Sequence, residues 1–345
     1  MSNVSYLGRP DGSDPGQRPA PGKTEAATPD GQDRGRRATA PWQIPWKGWK
    51  DILIRTWHQF NEDRLLAVAA GVVFYALLAL FPAITALVSS YALFAKGSTI
   101  NNHLATLAGL LPSGAFDIVQ DQVNRVLAKG DVKLGFAFAF SFLLAVWSAN
   151  GGTKAMMDAL NVAYEEEEKR GFFKLNAVSL SFTFGGLIGA LLAIAGIVAV
   201  PIVLATIGLD SISDAVLSIG RWPLLIAMML LGLALLYRYG PSRRSARWQW
   251  LSVGSVFATV TWLAGSALLS FYLSNYANYD ATYGSLGAAI GLMIWMWMST
   301  IVVLLGAELN AEIEHQTVAD STEGGDKPMG QRGAKMADTV GEAKS

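Results

Sequence analysis

The chain has 345 residues, and 52% hydrophobic against 16% charged residues is the composition of a membrane protein rather than of two soluble domains. Its formal net charge of zero averages segments of opposite character, so charge alone excludes no class of partner. The absence of cysteine excludes disulfides and thiolate metal sites.

The N-terminal region changes character near residue 42. Residues 1–42 are rich in Gly, Pro, Asp, Arg and Ala, so we expect a disordered tail. An amphipathic helix is then predicted, with apolar residues at steps of three and four and basic residues elsewhere: Trp46, Trp49, Leu53, Trp57 and Phe60 against Lys47, Lys50 and Arg55. The tryptophans favour a helix lying among lipid headgroups over one packed on a soluble domain.

Six apolar runs predict membrane-spanning helices. They cover residues 65–94, 134–149 with a helical extension to 164, 177–209, 219–237, 248–273 and 283–312. Asn61-Glu62-Asp63 is typical of an N-cap for the first. Pro82, near the middle of that span, predicts a kink. Such a kink is structural in most helices and is a transport hinge in a minority.

The connections carry weaker signals. Residues 96–133 predict two short amphipathic helices split at Pro112-Ser113-Gly114, and the charged run 165–170, acidic at 165–168, is most simply a solvated surface. Gly284, Gly287 and Gly291 share one face of the last span, which predicts close helix packing within one chain or between two. The tyrosines between the last two spans resemble an interfacial aromatic belt. Residues 316–345 return to a polar composition, and a second disordered tail is expected.

Six spans place both termini on the same side of the membrane. The arginine-rich link after the fourth span lies on that side, and it contains Arg238, Arg243, Arg244 and Arg247. Because basic residues accumulate on the cytoplasmic side, we expect both tails and this link to be cytoplasmic.

Several motifs occur in an order and spacing that resemble one family. They are Arg64 to Gly71 with Tyr75 to Pro82, Trp147-Ser148, Ala159 to Tyr164, Leu236-Tyr237-Arg238 with Pro241, Tyr283 to Ala288, and Leu305 to Ala311. The chain is similar in these segments to the YihY/BrkB family of bacterial inner-membrane proteins. Two departures are Val73-Phe74-Tyr75, where the family often has consecutive tyrosines, and the longer acidic run.

The resemblance implies an all-α, polytopic protein with a six-helix membrane domain at residues 43–315. It also implies a poorly defined activity. Members carry the old label ribonuclease BN, and others have been linked to serum resistance or proposed as envelope lipid transporters.

Nuclease chemistry has little support in the residues. A metal-dependent nuclease needs convergent His, Asp or Glu ligands, and the three histidines, His58, His103 and His315, lie far apart with no H-x-H or H-x-x-x-H spacing. We therefore expect no catalytic activity, no metal, no cofactor and no nucleic-acid partner.

A set of polar residues is predicted to meet at the cytoplasmic ends of spans one, two, four and six. Its members are Asp63, Arg64, Lys154, Asp158, Asn161, Arg238, Glu308, Asn310 and Glu312. One interpretation is a charged vestibule that admits an anionic headgroup or couples protons through a carboxylate. The other is a ring of paired or snorkelling residues that fixes the helix ends. Lys154 and Asp158 have the i, i+4 spacing of an ion pair.

Two functions fit these patterns. The first is a transporter or flippase-like protein for an anionic lipid or envelope precursor, with membrane lipids around it. The alternative is a membrane scaffold for envelope assembly, whose tails hold partners. Glycine faces also allow an oligomer.

Overall fold

A computed structural model describes residues 33–91, 100, 104, 115–128, 136–206, 210–275 and 286–344. Nine α-helices lie within these residues: α1 Trp46–Glu62, α2 Leu65–Tyr91, α3 Ala115–Leu127, α4 Phe136–Ala163, α5 Phe172–Thr206, α6 Asp210–Tyr239, α7 Trp248–Asn275, α8 Leu286–Glu314 and α9 Lys335–Asp338. The all-α prediction is confirmed.

Five of the helices contain a stretch long and apolar enough to cross a membrane, judged by length and composition. These stretches are Leu65–Tyr91, Phe172–Ala195, Trp222–Tyr239, Trp248–Leu273 and Ala289–Glu314. The predicted second span belongs to α4, whose 28 residues extend about 42 Å and end at Ala163, one residue before the predicted end of the extension. The architecture is compatible with six spans.

Close packing brings α2 against α4, and α7 against α8. Glycine makes both contacts possible. A Cβ atom on Gly152 of α4 would lie 3.3 Å from Ala76 Cα of α2, and one on Gly306 of α8 would lie 2.8 Å from the Gly254 carbonyl oxygen of α7. Small residues therefore permit the backbones to approach, as they do in other membrane helix pairs.

The amphipathic helix α1 packs against α8 and α2 with one face and exposes the other. Trp46, Leu53 and Trp57 are exposed, whereas Asp51 and Arg55 are buried against the bundle. The predicted helix is present, but its apolar residues do not all face outward, because Phe60 is buried and Trp49 packs against the core. The basic face is not uniformly solvated, because Arg55 turns inward.

Two local predictions are wrong. Asn61 and Glu62 belong to the end of α1, and Asp63 is its C-cap, so they do not cap the start of α2. The acidic run is not simply solvated, because Glu166 is buried and donors surround it: the Lys335 N–H donates to Glu166 Oε1 at 2.7 Å. Helix α2 contains Pro82 without interruption from Leu65 to Tyr91.

The tails are more ordered than composition suggests. Residues 33–42 and 316–344 pack onto one end of the bundle, with Arg36, Thr317 and Met336 almost fully buried. Buried arginines bind this C-terminal segment, which explains why a polar sequence can be ordered: Arg36 Nη2 donates to the Gly341 carbonyl at 2.6 Å. The prediction of disorder is therefore wrong for residues 33–42 and 316–344.

Some predictions lie outside the described residues. These are the disorder of residues 1–32, the tyrosines Tyr276, Tyr279 and Tyr283, Gly284, and most of the first short helix in 96–133. Of that helix, Ile100 and Leu104 are described, and both cluster with Val123 and Val126. The second short helix is confirmed as α3.

Candidate functional site

The predicted polar residues lie at one end of the bundle, which we call the polar end: residues 33–64, 154–176, 238–247 and 306–344. Hydrogen bonds connect these segments, such as Arg55 to Glu312 and Ser242 to Asn161. The arginine-rich link and the end of α8 are in direct contact, because Arg243 Nη2 and Glu314 Oε1 are 2.6 Å apart. The polar residues do not form one cluster, however, and they divide into three groups.

The first group surrounds Glu308 on α8. Glu308 is completely buried, and neither of its carboxylate oxygens has a hydrogen-bond partner. The charges that act on it belong to Glu312, Asp63 and Glu165, all of them acidic. A buried carboxylate without a donor is costly, so its presence calls for an explanation beyond helix packing.

Glu312, one turn further along α8, differs from Glu308 because it has an ion-pair partner. Arg55 Nε donates to Glu312 Oε2 at 2.5 Å, and both side chains are buried. Arg55 Nη2 also donates to Gln316 Oε1 at 2.8 Å. Glu312 is therefore a structural ion-pair residue that joins α1 to α8, and Arg55 is a site residue that the sequence pattern placed on the wrong face.

Asp63 lies between the bundle and the C-terminal segment. Burial and the nearby carboxylates of Glu165 and Glu62 raise the pKa of Asp63 to about 6, although Lys335 acts in the opposite direction. Its Oδ2 atom is buried without a donor. Arg64, next to it, is exposed and has a positive φ of 51°, which serves the turn between α1 and α2.

The second group joins α4 to α5. Lys154 Nζ donates to Asn176 Oδ1 at 2.7 Å and lies over the Trp147 ring, so the described ion pairs do not include the predicted Lys154–Asp158 pair. Asn161 is buried and accepts a hydrogen bond from the Ser242 N–H at 2.7 Å. These contacts hold helix ends together.

Glu168 completes this group. Its Oε2 atom accepts from Arg170 Nη2 at 2.7 Å and from Asn161 Nδ2 at 3.2 Å. These hydrogen bonds outweigh burial and lower the pKa of Glu168 to about 2. The carboxylate is a fixed anchor for Arg170.

The third group lies at α6 and α7. Arg238 is buried, pairs with Glu323 at 2.6 Å and stacks over the Trp248 ring. Asn310 Oδ1 accepts from the Gly254 N–H at 2.8 Å. Both residues therefore have structural partners.

Two cavities adjoin α5. One, of about 460 Å³, lies at the polar end and includes Arg238 in its wall. The other, of about 310 Å³, is apolar and lies between α2, α4 and α5, next to Pro82. The remaining predicted candidates line neither cavity. Among the described residues, no group of three His, Cys, Asp or Glu side chains could hold a metal ion.

The family model described as Virulence factor BrkB matches residues 56–330. The chain belongs to this family. The resemblance to YihY/BrkB proteins is thereby confirmed, and the protein is a multi-pass membrane protein.

Named relatives agree with this assignment. The chain is 31% identical over 247 residues to the putative ribonuclease-like protein YfkH of Bacillus subtilis, which covers 70% of this chain and 88% of the relative. It is 22% identical over 279 residues to a UPF0761 membrane protein of Idiomarina loihiensis, covering 79% and 95%. A UPF0761 membrane protein of Vibrio cholerae is 24% identical over 269 residues, covering 76% and 87%. No solved structure matches the chain significantly.

Proposed function

We propose that this BrkB-family protein moves an anionic or amphipathic envelope molecule across the membrane, with Glu308 as the residue that couples movement to a proton. The observation that carries the proposal is the burial of Glu308 without any hydrogen-bond donor. Ionisable residues within membrane helices that face the bundle interior commonly mark substrate or proton pathways.

The neighbouring carboxylates support the choice of Glu308. Glu312 and Glu314 on the same helix have arginine partners at 2.5 Å and 2.6 Å, so their burial has a structural explanation. Glu308 has none, and a proton is the simplest ligand for a carboxylate that faces only other acids.

Reconstituted protein tests the proposal. Full-length wild type and Glu308→Gln are placed in liposomes with fluorescently labelled phosphatidylglycerol and an imposed pH gradient, and label crossing the bilayer is measured. We expect Glu308→Gln to abolish gradient-driven crossing, whereas Glu167→Gln, an exposed acidic position at the same end, keeps it. Full activity of Glu308→Gln would show that the site is wrongly assigned.

A scaffold is the second candidate, and the ordered terminal segments favour it. Residues 33–44 and 316–344 form a folded surface at the polar end that a partner could bind. Deleting residues 1–32, the N-terminal part of the chain that lies outside the described residues, separates the two functions. A scaffold that holds partners through this segment loses function on deletion, and a transporter retains it.

The ribonuclease wording belongs to the name of the Bacillus relative. In our proposal the protein has no such activity, because its histidines lack metal-ligand spacing. Purified protein incubated with RNA, with and without Mg²⁺, is expected to leave the RNA intact. Location in the inner membrane, with both termini cytoplasmic, is part of the same proposal and is supported by the arginines at the polar end.

A further inference from the structure

The larger cavity lies where α5 begins and α6 ends. Its wall contains residues before and within the first two turns of α5, the end of α6, the link to α7 and one residue of the C-terminal segment. The lining residues are Lys169, Arg170, Lys174, Val178, Arg238, Tyr239, Pro241, Ser242, Arg243, Arg244, Ser245 and Gly333. Six of these twelve are cationic and none is acidic.

Carboxylates outside the wall neutralise four of the six cations. They form the pairs Lys169–Glu166, Arg170–Glu168, Arg238–Glu323 and Arg243–Glu314. Lys174 and Arg244 have no carboxylate partner among the ion pairs of the described residues. The cavity therefore retains positive charge.

Buried donors in the wall also lack acceptors. Arg238 Nε, Arg243 Nε and Arg244 Nη1 are inaccessible to solvent and have no hydrogen-bond partner, and the Arg238 and Arg243 side chains are 3% and 0% exposed. An unsatisfied buried N–H is costly, so three of them in one wall indicate a ligand rich in acceptors. Phosphate matches arginine in charge and geometry, and the start of α5 adds a favourable helix dipole.

The surroundings of the cavity are those of a membrane surface. Phe172 and Phe173 at the start of α5 are 66% and 86% exposed, and Tyr239 at the end of α6 and Trp248 at the start of α7 are also exposed. Exposed aromatic residues at helix ends are typical of the headgroup region. A basic pocket between membrane helices at this depth suits a lipid headgroup.

One row of α5 leads from this cavity to the apolar one. Lys174 and Val178 line the basic cavity, and Phe182, Gly186 and Ala190 line the apolar cavity. These five positions are four residues apart and form a single inclined ridge on the helix. From Lys174 to Phe182 the rise is about 12 Å, which is within one leaflet of a bilayer.

We propose that the basic cavity binds the phosphate group of an anionic phospholipid, with an acyl chain following the α5 ridge into the apolar cavity. The inference deepens the proposed function, because it names the chemical group by which an anionic envelope lipid is held. It places this contact on α5 and α6, apart from Glu308.

Removing the unneutralised charges tests the headgroup contact. Full-length protein is reconstituted in nanodiscs of phosphatidylcholine with a minor fraction of phosphatidylglycerol, and retained lipids are measured by native mass spectrometry. The double variant Lys174→Gln/Arg244→Gln is expected to bind phosphatidylglycerol about thirtyfold more weakly, as the loss of two basic residues near a membrane predicts. Lys327→Gln/Lys344→Gln, which removes two exposed lysines from the C-terminal segment, should bind it as wild type does. Equal retention by both double variants would overturn the proposal.

A neighbouring pair of glycines tests the acyl-chain path. A Cβ atom has open space at both Gly185 and Gly186, so either position accepts a larger side chain. Gly186 lines the apolar cavity and Gly185 does not. Gly186→Leu is expected to reduce phosphatidylglycerol retention severalfold and to leave inorganic phosphate binding unchanged, whereas Gly185→Leu changes neither.

Inorganic phosphate distinguishes a lipid from a free anion. If phosphate alone binds wild type in phosphatidylcholine nanodiscs and no preference for phosphatidylglycerol is found, the cavity takes a free anion and the lipid proposal is wrong. Glu308→Gln separates this inference from the proposed function, since it should lose gradient-driven transport but retain phosphatidylglycerol. Transport by wild type without such retention would refute the inference alone.

Discussion

Two buried glutamates one helical turn apart on α8 differ in whether they have a partner. Glu308 is buried without a partner, and Glu312 is buried in an ion pair with Arg55. We expect Glu308→Gln to change the free energy of unfolding by no more than about 1 kcal/mol, or to raise it, because the amide removes an uncompensated carboxylate. Thermal unfolding in detergent measures this.

Glu312→Gln is the matched substitution. It leaves Arg55 buried without its counter-charge, so we expect a loss of about 3–5 kcal/mol. A Glu308→Gln variant as unstable as Glu312→Gln would mean that Glu308 supports the fold through an interaction of its own.

Asp63 makes the free energy of unfolding depend on pH. Its pKa of about 6 lies above its ordinary value of 3.8, so the native state binds more protons than the unfolded state between these values. The contribution of Asp63 to stability therefore falls as pH rises from about 4 to 6. Asp63→Asn should become progressively more stable than wild type over the same range, as measured by melting temperature. A constant difference at all pH values would refute the assigned environment.

At the scale of elements, glycine determines how closely α7 and α8 approach. A Cβ atom at Gly306 would lie 2.8 Å from the Gly254 carbonyl oxygen and 2.9 Å from Ala258 Cβ. Gly306→Ala should therefore cost about 1–3 kcal/mol through overpacking. Gly232→Ala on α6, where the added atom meets open space, should be neutral or stabilising, because alanine favours helix. Comparable melting temperatures for the two variants would contradict this packing.

The helices were largely predictable because membrane spans are long apolar runs. The fifth predicted span, 248–273, differs from α7 by two residues at its end. The turn at residues 61–64 was misassigned, since the pattern of an N-cap does not reveal that a preceding helix already includes Asn61 and Glu62. Periodicity also groups Arg55 with the exposed Lys47 and Lys50. Arg55 is buried because it pairs with Glu312, and a contact with a residue so distant in sequence leaves no local signal.

At the scale of the whole molecule, the ordered C-terminal segment contributes to stability, so its deletion is expected to lower the melting temperature. Arg36 and Arg55 donate to the carbonyls of Gly341 and Glu342 at 2.6 Å and 3.0 Å. Deleting residues 318–345 removes these acceptors from buried arginines, so we expect a melting temperature lower by several degrees. An unchanged melting temperature after this deletion would contradict the packing.

The sequence predicts where the polar residues of the site lie, but it does not predict which of them are paired with one another. Topology predicts that Glu308, Glu312, Arg238 and Asn161 lie at one end, where hydrogen bonds such as Arg55 to Glu312 and Ser242 to Asn161 join the segments. Which of them have partners depends on contacts between residues far apart in sequence, and Ser242 with Asn161 and Arg36 with Gly341 are 81 and 305 positions apart. Such contacts leave no trace in periodicity or spacing.

The central claim is that the polar end, with Glu308 at its base, is the cytoplasmic mouth of the protein. The chain contains no cysteine, so single cysteines can report it directly. Ala128→Cys, after α3, and Glu323→Cys, exposed in the C-terminal segment, are treated with a membrane-impermeant maleimide in intact spheroplasts and after permeabilisation. We predict labelling of Ala128→Cys in intact spheroplasts and of Glu323→Cys after permeabilisation alone. Labelling of Glu323→Cys in intact spheroplasts would contradict the account.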